Sequence, residues 1–343
     1  MNTLTVDNMK RTLQRYKFMR KKIGRVAGSN YDLTNKCNLT CEGCLYFSGD
    51  GVENYQDVST CSDWEQFFQR EAKRGVNFAY IAGAEPSLVP DRIIAAWQAI
   101  GNGVVFTNGI RYIDHDVGFK IHISVWGDVE QGQSYRGIHS PMKAFVNYAG
   151  DDRAVVIMTL NAQNISEIRN VAYRCSEYDL PLSFSYFSPT DDYLYRLNSG
   201  SVGRSEYFRI SSSSNNLLMS QDDFRRARSA IEQVMSEFPE TIVYSLAFDS
   251  WLSNPDGVYV LDEHGTALNC GNRLTHDFKH FSVMMEEHPG KCCLPNINCK
   301  ECRAYAVSYA SFLTRRGKKL HADTVMEQWV DVWEVWARLF ISE

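Results

Sequence analysis

Six short, β-rich apolar runs alternate with helical patterns across the first half of this 343-residue chain, and no other feature constrains its fold as tightly. The runs are Asn30–Leu33, Val76–Ala82, Gly103–Thr107, Lys120–Trp126, Ala154–Leu160 and Leu182–Phe187. Helical patterns fill Ser62–Lys73, Asp91–Ile100, Pro141–Asn147 and Ile165–Tyr178. Strand–helix alternation predicts a parallel sheet with helices outside. Six units fall short of an eight-fold barrel, so the expected fold is α/β, a partial (β/α)6 TIM-like barrel. In parallel barrels the working groups lie on loops at the carboxyl ends of the strands.

Ten cysteines are the second constraint. Hydrophobic residues make up 44% and charged residues 22%, which excludes a mainly disordered chain. No apolar run reaches the ~18–20 residues of a membrane span. The first 22 residues hold no apolar signal-peptide core, so the expected compartment is the cytoplasm, where cysteines serve metals or catalysis rather than disulfides. Cys37, Cys41 and Cys44 form one group, and Cys270, Cys292, Cys293, Cys299 and Cys302 another. Cys61 and Cys175 stand alone and are expected to be small buried hydrophobes.

The first group, C-x3-C-x2-C, follows the first strand. Three thiolates on one loop suit three irons of a [4Fe–4S] cube and leave the fourth iron open, whereas a structural zinc is closed by a fourth ligand. No histidine adjoins the loop; His115 and His122 are the nearest. The spacing favours iron–sulfur over zinc.

Cys37-Asn-Leu-Thr-Cys41-Glu-Gly-Cys44 resembles the signature of the radical S-adenosylmethionine (SAM) superfamily. Thirty-nine residues beyond Cys44, Gly83-Ala84-Glu85-Pro86 is similar to the family's G-G-E-P motif, which meets the amino group of SAM. Small residues let backbone carbonyls approach a ligand, and a carboxylate pairs with an ammonium. Thr107-Asn108-Gly109 resembles the family's T-N-G, and Ser124 in Ile123-Ser124-Val125-Trp126-Gly127 falls where relatives place a ribose contact. Tyr135-Arg136-Gly137 and Leu160-Asn161-Ala162-Gln163-Asn164 look like segments of the branch with C-terminal auxiliary clusters. Two departures stand out. Relatives carry an aromatic residue before the third cysteine, where this chain has Gly43, with Leu45 or Tyr46 as substitutes near adenine. Ala84 replaces the motif's second glycine, a change that matters only where φ is positive.

The resemblance implies that the open iron chelates SAM. One electron then breaks a carbon–sulfur bond to give methionine and a 5′-deoxyadenosyl radical, which takes hydrogen from a substrate. It also implies an electron donor such as flavodoxin or ferredoxin.

The second group resembles a SPASM extension or its one-cluster form, twitch. Five cysteines favour one cluster, a second [4Fe–4S], with Cys270, Cys293, Cys299 and Cys302 as ligands and Cys292 the alternative to Cys293. A structural zinc at the same residues is the competing reading. A hairpin, Gly257–Asp262 and Thr266–Asn269 around Glu263-His264-Gly265, is expected to deliver Cys270.

The expected divisions are a basic N-terminal helix (1–27), the radical SAM partial barrel (28–215), an auxiliary-cluster subdomain of hairpin and helices (216–322) and a C-terminal amphipathic helix (323–343). Residues 9–25 carry eight Lys and Arg and no acid in a chain of net charge −5. Leu13, Tyr16, Met19 and Ile23 recur at near-helical spacing there. Such a helix caps the main domain in preference to meeting a membrane surface, and an acidic chain is a poor nucleic-acid binder. Ser/Gly/Asn-rich 198–216 is expected to be a linker or mobile loop, 221–238 a helix and Thr241–Leu246 a strand. Trp329, Trp333, Trp336 and Phe340 share one face of the last helix.

For the reaction, about thirty residues precede the barrel, too few for a cobalamin or peptide-recognition domain. That tilts the expectation to a small molecule: a sugar, nucleoside or amino-acid derivative in specialised metabolism. A ribosomal-peptide maturase is the first alternative, a lipid or isoprenoid adenosylating enzyme the second, and a non-catalytic zinc-binding interaction protein the third. Arg136 is the candidate catalytic side chain, with Asp191, Asp192 and Tyr193 also in reach of substrate.

Overall fold

The computed structural model describes residues 3–48, 54–127, 134–137, 142–200, 203–204, 208–210, 212, 214–274, 277–288, 297–317 and 323–342. Six parallel strands form its centre: β1 Gly28–Asp32, β3 Phe78–Ala82, β4 Gly103–Thr107, β5 Lys120–Val125, β6 Ala154–Leu160 and β7 Leu182–Tyr186. They neighbour one another in that order, and a short strand, β10 His280–Phe281, adds in parallel beside β1. Consecutive parallel neighbours, four of whose five connections carry a helix while β4 runs to β5 through a loop, are the partial barrel the alternation predicts, and no pairing closes the sheet among the described residues.

Helices cover the convex face. They are α2 Cys61–Lys73, α3 Pro90–Ile100, α4 Met142–Tyr148 and α5 Ile168–Glu177. Helix α2 begins at a capping box, Thr60 with Asp63, and turns Trp64, Phe67 and Phe68 inward. Tyr31 of β1 meets the rings of Phe67 and Phe68 there. Cys61 is the first residue of α2, off that packed face, and is exposed rather than buried; Cys175 is buried as expected.

Asn30, Asp32, Tyr80, Ala82, Phe106 and His122 occupy the opposite, concave face. The expected C-terminal helix closes it as α11 (Asp323–Phe340), together with α10 (Tyr305–Gly317). Phe340 stacks on Tyr305 and meets His122 edge-on at 4.8 Å. The N-terminal helix, α1 (Thr3–Ile23), lies against α11: Tyr16 touches Trp329 and Trp333, and Arg15 bonds Glu334 and Asp331. Its inward side carries Thr12 and Met19, while Leu13 is 42% exposed. Tyr16, Met19 and Ile23 of the expected stripe therefore pack inward, and only Leu13 does not, Thr12 being buried in its place. No described helix is long and apolar enough to cross a membrane.

Three other expectations are corrected. The 198–216 stretch is not a plain linker. After α6 (Asp191–Ser199), β8 (Gly203–Arg204) and β9 (Phe208–Ile210) pair antiparallel, and β9 pairs in parallel with β2 (Cys41–Glu42) in the cysteine loop. Thr241–Leu246 is not a strand. Ile242 makes one bridge to Leu182, and Leu246 opens α8 (Leu246–Leu252) after Ser245 caps it. The hairpin before Cys270 forms but is shorter than expected, with the bridge Leu261–Ala267 flanked by the bonds Asp262 N–H to Thr266 O and Leu268 N–H to Val260 O. The helix α7, Gln221–Glu237, forms as its pattern predicts.

Candidate functional site

The cysteine loop leaves the carboxyl end of β1 and is pinned by four neighbours. The Glu85 N–H donates to Lys36 O (3.0 Å), Thr40 N–H to Arg136 O (3.2 Å) and Gly43 N–H to Arg209 O (3.1 Å). Asn108 Nδ2 donates to Asn38 Oδ1 (2.7 Å). The motifs separated in sequence therefore converge on one loop.

Cys37, Cys41 and Cys44 are half-buried and pack in an apolar cluster with Phe47, Trp126, Tyr135, Phe187 and Tyr193. Burial, together with the neighbouring Cys41, pushes the Cys37 and Cys44 thiols up to about 12. Leu39 N–H donates to Cys37 Sγ (3.4 Å), and the backbone of Tyr46 and Phe47 bonds Cys44. Three thiols crowded in apolar surroundings ionise at a cost unless a metal takes the charge, so the residues fit an iron–sulfur cluster. Sulfur-directed N–H groups are the usual means of tuning such a cluster.

Gly43 has φ +55°, and a Cβ on it would lie 2.9 Å from Phe187 Cζ and 3.0 Å from Tyr193 Cδ2. Rings just beyond β7 and from α6 thus fill the space that an aromatic residue before Cys44 would take. Tyr46 and Leu45 line an adjoining cavity of about 480 Å³ with Asp32, Gly83 and Phe106. Ala84 is not among the residues with positive φ; Gly83 is, at +77°, and a Cβ there would lie 2.4 Å from Asp32 Cα. The glycine that matters is the one retained.

Glu85, 2% exposed, ends β3's loop as the cap of a short turn begun by Pro86. Its carboxylate accepts from Ser87 N–H (3.1 Å), Ser87 Oγ (2.6 Å), Thr107 Oγ1 (2.6 Å) and Asn108 N–H (2.8 Å). Three of these reach Oε1 and one reaches Oε2, so acceptor capacity remains on Oε2. Arg136 is buried, lies 5.6 Å over the Trp126 ring and donates to the Ser124 carbonyl. Its charge draws the Cys44 thiol downward. Tyr193 is fully buried and donates to Glu42 (2.9 Å); Asp192 pairs with Arg196 and Asp191 accepts from Asn298. Tyr193 holds structure beneath the loop, whereas Asp191 is exposed and Asp192 half-buried.

Cys270 and Cys302 are buried in a second cluster, with Cys299, Tyr259, Leu261 and Val307 packed about them. Cys292 and Cys293 lie outside the described residues. The turn bearing Cys299 docks on the barrel: Thr190 bridges Ile297, Asn298 N–H donates to Pro189 O and Arg303 N–H to Ser188 Oγ. Thr190 also bonds Ser48 beside the first loop.

One cluster at the site was absent from the sequence expectations. Asp32 Oδ2 lies 2.9 Å from His280 Nε2, and the His280 and His288 rings are 4.5 Å apart. Asp32 was open to discovery as the last residue of the first strand. His280 was not, since a two-residue strand carries no periodicity.

No family model matches the chain. Among curated proteins, the sporulation killing factor maturation protein SkfB of Bacillus subtilis (strain 168) is 27% identical over 159 residues, 42% of this chain and 38% of that protein. GTP 3′,8-cyclase of Alkaliphilus metalliredigens (strain QYMF) is 34% identical over 70 residues, 20% of this chain and 22% of that one. The chain therefore matches well under half the length of either relative. Streptococcus suis SuiB bound to S-adenosylmethionine shares the fold at TM-score 0.54 and 14% identity, over 93% of this chain and 76% of SuiB. SuiB bound to its precursor peptide SuiA matches at TM-score 0.54 and 14% identity, over 88% and 70%. A partial parallel barrel with three cysteines after its first strand defines the radical SAM enzyme, a class that works with a [4Fe–4S] cluster and SAM. The chain resembles that superfamily in sequence over part of its length and in its fold.

Proposed function

We propose that this chain is a radical SAM enzyme that modifies a peptide, with Cys37, Cys41 and Cys44 as ligands of its SAM-binding cluster. The observation that carries it is the convergence of those thiols with Glu85, Asn108 and Arg136 at the carboxyl ends of β1, β3, β4 and β5. When bound there, the cluster and SAM supply a 5′-deoxyadenosyl radical that removes hydrogen from carbon. The chain's own residues do the positioning. Glu85 Oε2 offers an acceptor to the SAM ammonium, Gly83 to Pro86 bring backbone close, and the Arg136 guanidinium faces an anionic group near Cys44. Ser124 and Tyr46 flank the nucleoside. Phe187, Trp126 and Tyr193 exclude water behind the thiols. Cys270, Cys299 and Cys302, with Cys293 or Cys292, would hold a second cluster, which would supply one-electron redox chemistry. A flavodoxin or ferredoxin delivers the first electron.

The peptide reading is supported by SkfB, a maturation protein, and by SuiB with its bound precursor peptide. It takes precedence over the small-molecule expectation. The test is anaerobic incubation of the reconstituted protein with dithionite, SAM and a short peptide encoded beside its gene. The expected result is 5′-deoxyadenosine above background and a mass change on the peptide, both lost in Cys41→Ala. Release of 5′-deoxyadenosine by Cys41→Ala would overturn the ligand assignment, and an unchanged peptide mass would overturn the substrate.

A further inference from the structure

We infer that Asp32, His280 and His288 form a mononuclear divalent-cation site on the concave face, with an open position for an oxygen or nitrogen donor of the substrate. One ligand atom from each lies within 4.8 Å of the others. Asp32 and His280 are 7% and 5% exposed, and His288 is half-buried. The fold builds this grouping deliberately. Parallel register sets His280 beside Asn30, two residues before Asp32 on the same face of β1. The chain then turns back: Phe281 bridges Glu287, and His288 N–H donates to His280 O at 2.8 Å. That return brings the second imidazole onto the first. Asn30 Nδ2 approaches the other carboxylate oxygen, Asp32 Oδ1, at 3.3 Å and orients it from behind.

Donor chemistry and spacing agree with a cation. Two imidazoles and a carboxylate suit Zn²⁺, Fe²⁺ or Mn²⁺. Two donors each ~2.0–2.2 Å from one ion stand roughly 3.0–3.4 Å apart, so the 2.9 Å between Asp32 and His280 needs little adjustment. Three protein ligands leave at least one position open. Asp32 also lines the cavity of about 480 Å³ that Tyr46 and Gly83 share, so a bound ion adjoins the space beside the SAM motif. The competing explanation is an Asp–His hydrogen bond that ties β10 to the sheet. That explanation gives His288 no role.

The test is Mn²⁺ titration of the cluster-loaded protein, followed by electron paramagnetic resonance, because hard Mn²⁺ is a poor partner for thiolates. One Mn²⁺ per chain, displaced by Zn²⁺, is expected. Asp32→Asn and His288→Gln are each expected to weaken binding by about tenfold or more. Iron content checks that each variant is folded, and half-buried His288 is the safer of the two. Absence of Mn²⁺ and Zn²⁺ binding, or equal binding in a folded His288→Gln protein, would overturn the site. The titration needs neither SAM nor peptide, so its failure is distinct from failure of the proposed activity.

Discussion

Gly43 shows how one missing side chain can be explained by others. Its φ of +55° already disfavours any residue with a Cβ, and Phe187 and Tyr193 occupy the space beyond. Restoring the aromatic residue of relatives is therefore expected to damage the site. Gly43→Phe should lose about 1–3 kcal/mol of stability by overpacking, read by urea unfolding, and retain less iron. Adding Phe187→Ala should recover part of both losses. At this scale the sequence made the three thiols plain, because close cysteine spacing is itself a chemical pattern. It hid Phe187, Tyr193 and His280, whose roles depend on contacts between distant segments. Tyr193 was misplaced as a substrate contact for the same reason: its position ahead of a loop says nothing about Glu42 lying 2.9 Å from its hydroxyl.

Helix α11 is held from two sides, and each side gives a prediction. On one, Arg15 of α1 meets Glu334 at 2.9 Å and Asp331 at 2.5 Å. These groups are partly exposed, so Arg15→Ala should cost about 1 kcal/mol or less, with the loss shrinking in high salt, as seen by denaturant midpoint. On the other, His122 Nε2 bonds the Leu339 carbonyl at 2.8 Å within a ring of aromatics. Burial lowers this imidazole to about 3. The folded state keeps it neutral while the unfolded chain protonates near the ordinary 6.5. Its contribution is whole above about pH 6.5 and is lost as pH falls toward 3. Stability should thus drop less between pH 7.5 and pH 4.5 in His122→Phe than in the parent, although the variant starts lower by about 1–2 kcal/mol for the orphaned carbonyl. Elements of this kind were unequally legible. The central strands and α11 were read almost to the residue, since their apolar patterns are regular. The 198–216 stretch was misread because Phe208–Ile210 is too short to stand out among Ser, Gly and Asn, and its partner, Cys41–Glu42, is remote in sequence.

Across the molecule, the two sulfur clusters meet the barrel at one corner, residues 188–193. Thr190 bonds Ser48 next to the first cysteine loop and bridges Ile297 next to Cys299, while Tyr193 packs against Gly43. The corner holds the loops in fixed relation, but the thiols themselves belong to separate apolar clusters. Each metal locus should therefore load independently. If both hold [4Fe–4S] cubes, the reconstituted chain carries about eight irons. Cys302→Ala, which removes a buried member of the second cluster, should lose about four and still make 5′-deoxyadenosine from SAM. Cys44→Ala should also lose about four, yet make none. Zinc in place of the iron lost from Cys302→Ala would identify the second locus as a structural zinc site. Loss of all iron from Cys302→Ala would instead mean that the 188–193 corner transmits disorder from one loop to the other, and Thr190→Val would then be expected to reproduce that loss with every cysteine in place.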